Sequence, residues 1–317
     1  MKNSRNIIDR NSLITNSISS VGTSKTNESG KIICIIGMGL IGGSMAIALK
    51  KSGYASHIIC VDRNENHSKT TIEMGLADEC SSLEEGINKA HLILLCTPVD
   101  VICNLLPRVL NSLEELQKEG ITGKIVADMG STKWNIAKSV LEHPMRQSYV
   151  AVHPIAGTEY SGPQASLDGL FKGKNAIICE GEQSHSSAKD EICTMLESIG
   201  MNVSEMDSRS HDLHVAYVSH LSHITSFSLA LSVLEKERVE QSILTLAASG
   251  FESTVRLAKS NAQTWAPIFI QNSEFIAGAI DSYLEQMTLF KKHIEQNNSE
   301  ALIEMMESAN AINKILK

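Results

Sequence analysis

Two short segments place groups that can move a proton directly after apolar, strand-like runs. Ser131 follows the run Ile125–Ala127, and His153 follows the run Tyr149–Val152. A histidine titrates near neutral pH and, held by Pro154 behind it, is well placed to accept a proton from a substrate. Ser131 carries a hydroxyl at the end of the other run, although its place before a helical stretch equally suits a helix N-cap. The pattern predicts acid–base chemistry at one edge of a sheet.

A glycine-rich turn forms a second candidate site. Gly37, Gly39 and Gly42 directly follow the run Ile32–Ile36 and open an amphipathic helix. The first glycine permits a tight turn, the second admits a pyrophosphate to the backbone, and the third lets helix and strand pack closely. The free N–H groups at the start of the helix favour phosphate. The predicted dinucleotide cradle comprises Gly37, Gly39, Leu40, Ile41 and Gly42.

The choice between NAD and NADP is predicted to lie at the end of the second strand-like run. Asp62 can accept both ribose hydroxyls of NAD and would repel the 2′-phosphate of NADP. Arg63 beside it either stacks on adenine or lies in solvent, and it keeps NADP open as the less favoured cofactor. Thr97 and Pro98 are predicted to line the cofactor pocket, because ligands bind beyond the carboxyl ends of such strands. A plain strand-to-helix turn is the alternative for these two residues.

A sheet is needed to position these residues. From Lys31 to about residue 206, short apolar runs alternate with helical segments, which predicts an α/β fold with a doubly wound, mostly parallel Rossmann-type sheet. The predicted strands are Ile32–Ile36, Ile58–Val61, Leu92–Cys96, Ile125–Ala127, Tyr149–Val152 and Ala176–Cys179, with Asn202–Glu205 as a further candidate. The later helical patterns are His211–Glu235, Gln241–Ala258, Phe275–Asn297 and Ser299–Leu316. We predict a dinucleotide-binding domain over residues 31–206 and an all-helical substrate and dimerisation domain over residues 207–317.

Composition narrows the class of protein. A chain of 317 residues suits two domains, and 42% apolar with 20% charged residues is ordinary for a globular protein. A net charge of -8 argues against nucleic acid or an anionic membrane as a partner. Seven cysteines without a Cys-x-x-Cys pair predict a reducing, cytoplasmic setting. Residues 1–30, rich in Ser, Asn and Thr, are predicted to be a disordered leader, with an organellar transit peptide as the alternative.

Taken together, the motifs resemble those of the prephenate dehydrogenase family, including its arogenate-using members. The resembling stretches, in the family's order, are GMGLIGGS (37–44), the strand ending at Asp62, CTP (96–98), ADMGSTK (127–133), HPIAGTEYSG (153–162), SHLSH (219–223), GFESTVRLAKS (250–260) and Trp265. HPIAGTEYSG is the most specific of them. The resemblance implies NAD-dependent oxidative decarboxylation of prephenate to 4-hydroxyphenylpyruvate in tyrosine biosynthesis, by a homodimer joined through the helical domain.

The same resemblance implies roles for single residues. His153 would accept the proton of the substrate hydroxyl as hydride leaves, and Ser131 would orient both groups. Arg256 would bind a substrate carboxylate, for which a bidentate guanidinium is suited. The other implied substrate-binding residues are Thr158, Glu159, Ser219, His223 and Trp265. No metal is expected, because the histidines between residues 211 and 223 are not completed to a ligand set.

Departures from the family pattern surround the side-chain end of the substrate. Ser222, Ala248 with Ser249, and Ser253 stand where the family often has a proline, glycines and an acidic residue. They leave open whether the substrate is prephenate or the amino acid arogenate. Two more distant alternatives are a small-acid dehydrogenase of the β-hydroxyacid type and a non-catalytic NAD-binding sensor. Neither explains why the histidine, serine and arginine of the motifs are all present.

Overall fold

A computed structural model describes residues 30–315, and the first part of this range forms one eight-stranded sheet of order β3-β2-β1-β4-β5-β6-β7-β8. Strands β1 to β8 are Lys31–Ile36, Ala55–Val61, Glu79–Cys80, Leu92–Leu95, Ile125–Asp128, Tyr149–Pro154, Asn175–Cys179 and Asn202–Met206. The first six pair in parallel, β7 runs antiparallel to β6, and β8 runs parallel to β7. The predicted doubly wound, mostly parallel sheet is confirmed.

Helices cover both faces of this sheet. They are α1 (Leu40–Lys51), α2 (Glu65–Glu73), α3 (Leu83–Lys89), α4 (Val99–Lys118), α5 (Trp134–Ser139) and α6 (Ser186–Ser198). Side chains of β1 alternate between two cores, with Ile33 and Ile35 in one and Cys34 and Ile36 in the other. Because successive residues of a strand point to opposite faces, an apolar run is what a sheet buried on both sides requires.

From residue 208 to residue 315 the chain is helical. The helices are α7 (Ser208–Val215), α8 (Leu221–Glu237), α9 (Ser249–Val255), α10 (Ala262–Gln271), α11 (Ser273–Glu295) and α12 (Ser299–Ala309). The last strand ends at Met206, and α7 begins at Ser208, capped by the side chain of Asp207 between them. The leader predicted for residues 1–30 lies outside the described residues except for Gly30. In the described range, no helix is long and apolar enough to cross a membrane.

Several predicted boundaries are wrong in ways that affect the site. Strand β6 continues through His153 and Pro154, so the histidine lies within the strand and pairs in register with Ile177 of β7. The two-residue strand β3 was not predicted, because Glu79–Cys80 carries no apolar pattern. The helix predicted over His211–Glu235 contains a π-helical turn at Ala216–His220. Such turns widen a helix locally and are frequent at functional sites.

The helix predicted over Gln241–Ala258 is also interrupted. Ser242 has a positive φ of 84°, and a 3-10 turn at Ile243–Leu246 precedes α9. A second 3-10 turn, Arg256–Lys259, ends the segment. Helix α10 follows at once and was not predicted. The helix begins after Asn261, whose side chain accepts hydrogen bonds from the N–H groups of residues 263 and 264 and so acts as the N-cap. The segment has no long apolar pattern from which a helix could be predicted.

Candidate active site and cofactor cleft

The carboxyl ends of β1, β4, β5 and β6 meet at one edge of the sheet, because these strands are parallel neighbours. The turns after β1 and β4 are in contact there. A Cβ added to Gly37 would lie 2.8 Å from Thr97 Cγ2 and 2.9 Å from the Thr97 backbone nitrogen. Gly37 also has a φ of +94°, which a larger side chain would strain. The sequence-predicted cradle and the predicted pocket wall are therefore adjacent.

The other two glycines of the turn differ in what surrounds them. A Cβ on Gly42 would lie 2.1 Å from the carbonyl oxygen of Gly37, so the third glycine permits the close packing of helix and turn. A Cβ on Gly39 would meet no atom within 4 Å. Helix α1 begins at Leu40 with no side-chain cap and no acidic residue in its first turn. Open space in front of uncapped N–H groups suits the pyrophosphate of a dinucleotide.

Asp62 is held against the glycine turn. Its Oδ2 accepts a hydrogen bond from Met38 N at 2.9 Å, its Oδ1 accepts one from Asn64 N at 2.9 Å, and His67 Nδ1 lies 3.5 Å from Oδ2. A carboxylate offers about four acceptor positions, so capacity remains for ribose hydroxyls. Arg63 beside it is exposed, and so is Pro98 at the start of α4. The residues present fit a dinucleotide, with an acidic group at the ribose end.

His153 belongs to a chain of hydrogen bonds that the sequence analysis missed. Its Nδ1 lies 2.8 Å from His211 Nε2, and His211 Nδ1 lies 2.8 Å from Asp212 Oδ1. His211 and Asp212 are both buried, and the two imidazole rings meet edge to face at 5.0 Å. Desolvation, with lesser effects from His211, Lys133 and His220, holds the pKa of His153 well below its usual range. The imidazole is thus neutral at physiological pH, as a proton acceptor must be.

The loop that carries Ser131 is tied to the same carboxylate. Asp212 Oδ1 accepts a hydrogen bond from Lys133 N at 2.8 Å, and Oδ2 accepts one from Trp134 N at 2.9 Å. These donors belong to the start of α5, so a residue of α7 caps a helix of the sheet domain. The alternative of Ser131 as an N-cap is wrong, since Lys133 occupies that position. The partly buried Ser131 hydroxyl makes no hydrogen bond to any residue between 30 and 315.

A buried ion pair lies under this loop. The Lys133 ammonium donates to Asp128 Oδ2 and, at 2.7 Å, to the carbonyl oxygen of Val152. Asp128 Oδ1 accepts from the Tyr149 hydroxyl at 2.6 Å, and Oδ2 accepts from Gly130 N at 2.9 Å. The ammonium and both carboxylate oxygens of the pair thereby have hydrogen-bond partners, as buried charges require. The pair links the loop after β5 to the residue that precedes His153.

Three sequence-predicted substrate residues lie together in the helical part. The Trp265 ring stacks on His223 with centroids 3.4 Å apart, and His223 Nδ1 donates to the carbonyl oxygen of Ser219 at 3.0 Å. Desolvation lowers the pKa of His223, and the nearby charge of Arg256 lowers it further. Trp265 also meets His220, which lies on the π-helical turn with Ser219. The unpredicted helix α10 is what brings Trp265 to this position.

Arg256, whose charge acts on His223, lines a cleft of about 490 Å³. It is lined by Glu159, Tyr160, Ser249, Glu252, Ser253, Arg256 and Lys259. The cleft therefore brings Glu159 and Arg256 together, as the sequence analysis expects. Thr158 does not line it: this residue is exposed, and its hydroxyl accepts a hydrogen bond from Tyr160 N at 3.3 Å, within its own turn. The roles assigned to all these side chains stay predictions.

The fold and the site define an oxidoreductase that binds a dinucleotide beside a partly buried, neutral histidine. Comparison with protein families gives the particular family. The family described as "Prephenate dehydrogenase, nucleotide-binding domain" matches residues 45–205, and "Prephenate dehydrogenase, dimerization domain" matches residues 207–308. The chain belongs to the prephenate dehydrogenase family, and the resemblance drawn from the motifs is confirmed.

Relatives with known names agree with this placement. The chain is 29% identical over 288 residues to a prephenate dehydrogenase of Bacillus subtilis, covering 89% of this chain and 75% of the relative. It is 26% identical over 289 residues to a cyclohexadienyl dehydrogenase of Zymomonas mobilis, covering 90% of this chain and 96% of that one. The crystal structure of prephenate dehydrogenase from A. aeolicus in complex with hydroxyphenyl propionate and NAD+ matches with a TM-score of 0.81 and 26% identity, covering 92% of this chain and 100% of that one.

Proposed function

We propose that this protein is an NAD-dependent prephenate dehydrogenase that oxidatively decarboxylates prephenate to 4-hydroxyphenylpyruvate in tyrosine biosynthesis. The observation that carries the proposal is a neutral, partly buried His153 at the sheet edge where the glycine turn ends β1, in a chain of this family. The more distant alternatives of a β-hydroxyacid-type dehydrogenase and a non-catalytic sensor are less well supported, because relatives that match 89% and 92% of this chain are named prephenate dehydrogenase.

The reaction requires mainly that the protein position the substrate, the cofactor and the base relative to one another. NAD, when bound in the cleft, accepts the hydride from the ring carbon that carries the hydroxyl. His153 takes the hydroxyl proton, so a carbonyl forms as the hydride leaves. Loss of the ring carboxylate as carbon dioxide then leaves an aromatic phenolate, which takes the proton back from His153 and becomes the phenol. Ser131, with a hydroxyl that has no hydrogen-bond partner among residues 30–315, would orient the substrate hydroxyl toward His153.

The cleft offers groups for the two carboxylates of prephenate. Arg256 and Lys259 supply positive charge to the cleft, and the charge of Arg256 also acts on the imidazole of His223, which stacks on Trp265. A planar guanidinium binds a carboxylate through two parallel hydrogen bonds, which fixes its orientation. Arg256 makes no ion pair with any residue of the described range, which leaves its guanidinium available. We infer that Arg256 anchors one substrate carboxylate.

Arogenate is the second candidate, and one observation favours it. Glu159 and Glu252 line the same cleft as Arg256 and Lys259, and Lys259 lies 3.8 Å from Glu252. A cleft with both signs of charge also suits the zwitterionic side chain of an amino acid. Prephenate, which has no ammonium group, would leave Glu159 without a partner. The side-chain end of the substrate therefore has to be decided by experiment.

The test compares both substrates with both cofactors under identical conditions. We expect NADH to form with prephenate, with 4-hydroxyphenylpyruvate identified by mass spectrometry, and kcat/KM for arogenate at least about tenfold lower. The variant Glu159→Gln distinguishes the two substrates. If the substrate is prephenate, kcat/KM should stay within about threefold of wild type; if it is arogenate, kcat/KM should fall about tenfold or more, because the ammonium group would lose a charged partner. Faster turnover of arogenate would reassign the substrate, and no turnover of either would refute the proposal.

A homodimer joined through the helical domain is part of the proposal. No residue of α12 is buried, and in α11 only Ile276 and Ala279 are. Large apolar side chains of α8, α11 and α12 are half exposed or more, among them Leu231, Leu234, Leu284, Ile294, Ile303 and Met306. An apolar surface of this extent normally marks an interface. Light scattering should give twice the chain mass, and Leu284→Glu should shift the protein toward monomer.

We also propose the cytoplasm as the location of the protein. All seven cysteines are free thiols, which suits a reducing compartment. Organellar import directed by residues 1–30 is the alternative. Localisation of the full-length chain, compared with a chain that starts at Gly30, decides between them: identical distributions support the proposal, and loss of an organellar signal on truncation contradicts it.

A further inference from the structure

The hydrogen bonds behind His153 fix which of its nitrogens carries a proton. Asp212 accepts backbone N–H groups on both oxygens, from Lys133 and Trp134, an arrangement that an ionised carboxylate prefers. An ionised carboxylate can only accept, so His211 Nδ1, 2.8 Å away, must be the donor. In neutral His211 the other nitrogen, Nε2, then carries a lone pair.

That lone pair determines the state of His153. His211 Nε2 accepts across 2.8 Å, so His153 Nδ1 is the protonated nitrogen. The other nitrogen of His153, Nε2, is left with a lone pair that takes no part in the hydrogen bonds to His211 and Asp212. The opposite assignment would require a doubly protonated His211. Such a cation would be only 2% exposed, and burying it would be costly.

We propose that His211, oriented by Asp212, is a positioning residue that holds His153 in the Nδ1–H tautomer and so leaves Nε2 as the base. The proposal rests on the proposed function for its kinetic consequence, but the tautomer itself does not. When the substrate O–H bond breaks, its proton bonds to Nε2, and the resulting imidazolium keeps its Nδ1–H on His211. The phenolate oxygen that forms when carbon dioxide leaves takes this proton back, so His153 is neutral again when the product leaves.

Asp212 also fixes the loop that carries Ser131. The same carboxylate caps α5, next to the loop that carries Ser131, and its own backbone oxygen accepts from Asn272 Nδ2 at 2.8 Å. Asn272 also donates to His220 Nδ1 at 3.0 Å. A residue of the helical part therefore fixes the serine loop and the histidine tautomer together, so the two predicted catalytic groups are set relative to one carboxylate.

The first experiment observes the tautomer directly in the folded wild-type protein. Two-bond ¹H–¹⁵N correlations of the imidazole rings distinguish a protonated nitrogen from one with a lone pair. The signal of His153 is assigned by its loss in His153→Asn. We expect a protonated Nδ1 and an unprotonated Nε2 at neutral pH. A protonated Nε2 with an unprotonated Nδ1 would overturn the proposal, whatever the enzyme's activity.

The second experiment separates positioning from structure with a matched pair of variants. His211→Phe keeps a ring against His153 but removes the acceptor, whereas His211→Gln presents an amide oxygen near the position of Nε2. For His211→Phe we expect kcat to fall about 100-fold or more, with KM and the Kd for NAD within about threefold, and a mixed His153 tautomer. His211→Gln should stay within about tenfold of wild type.

The outcomes are distinguishable from failure of the proposed function. A folded His211→Phe protein that retained kcat within about threefold would overturn the proposal, because a general base normally contributes 100-fold or more. If that variant did not fold, judged by circular dichroism, the wild-type tautomer and His211→Gln would decide. If the wild-type protein turned over neither prephenate nor arogenate, the proposed function would fail while the tautomer measurement still stood.

Discussion

The clearest quantitative prediction concerns the second glycine of the turn, Gly39. A methyl group there meets no protein atom within 4 Å, and the backbone φ of -80° is one that alanine adopts freely. Gly39→Ala should therefore leave the free energy of unfolding within about 0.5 kcal/mol of wild type, or raise it slightly by restricting the unfolded chain. The open space in front of Gly39 is, however, where the pyrophosphate is expected to lie. The variant should fold normally and bind NAD poorly.

The size of the binding defect follows from the contacts that a methyl group would displace. A hydrogen bond from a backbone N–H to a charged phosphate oxygen contributes about 1.5–3 kcal/mol. Losing one such bond raises the Kd for NAD by about 10- to 150-fold. Isothermal titration calorimetry measures the Kd, and urea unfolding measures the stability of the same preparation.

Gly42→Ala is the contrasting variant within the same turn. Its Cβ would lie 2.1 Å from the Gly37 carbonyl oxygen, although real Cβ contacts are essentially never shorter than 3.0 Å, so the turn must shift by about 0.9 Å. Overpacking of this kind costs about 1–3 kcal/mol of folding stability, so this variant should lose both stability and NAD binding. The reasoning is refuted if Gly39→Ala binds NAD like wild type, or if it is destabilised as much as Gly42→Ala.

Three further predictions follow from the site. Asp62→Asn should shift the ratio of kcat/KM values from NAD toward NADP by about tenfold or more, because it removes the charge that opposes the 2′-phosphate; an unchanged ratio would exclude Asp62 as the selecting group. Trp265→Leu should raise KM for the substrate about two- to tenfold through loss of its stack on His223, with the Kd for NAD unchanged as the control. The free energy of unfolding should decrease as the pH is lowered from about 6.5, because His153 and His220 stay neutral in the folded protein but take up protons in the unfolded chain. For His220, burial lowers the pKa to about 4, so His220→Phe should flatten the dependence of Tm on pH between about 4 and 6.5, and an unchanged slope would contradict this cause.

The pKa of His153 also changes the expected pH profile of the reaction. An ordinary histidine would make kcat/KM rise through about pH 6–7, which is what the sequence alone suggests. Because desolvation and the neighbouring His211 hold the pKa well below that range, the acidic limb should lie at lower pH and the rate should be flat near neutrality. Measurement with buffers of constant ionic strength decides between the two profiles.

Local patterns carried enough information to predict the sheet and its cofactor turn. The runs around Ile33 and Leu94 are apolar on both faces, a pattern that buried parallel strands require. The glycines at 37, 39 and 42 each meet a different local steric requirement: a positive φ, open space for a ligand, and close packing of helix and turn. Because these requirements are local, the spacing of the glycines indicates them in the sequence. Strand β3 escaped prediction because two residues paired at an edge leave no periodic pattern.

The contacts that complete the site could not be predicted because they join distant parts of the chain. His153 and His211 are 58 residues apart, and Asp212 lies 79 residues from Lys133. No local propensity indicates that one carboxylate will cap a helix of the other domain. The adjacent His211 and Asp212, immediately after a capped helix start, were the one available signal. In the sequence, His211 counts only among the histidines considered as metal ligands, and nothing local indicates the role of Asp212.

The most direct test of the central claim is the rate of NADH formation from prephenate by the wild-type protein and by His153→Asn. The account predicts steady NADH formation by wild type, one carbon dioxide released for each NADH, and a fall in kcat of about 100-fold or more in the variant with its Kd for NAD unchanged. A folded His153→Asn protein that stayed within about tenfold of wild type would contradict the assignment of His153 as the base. Wild-type protein that bound NAD but oxidised neither prephenate nor arogenate would contradict the account as a whole.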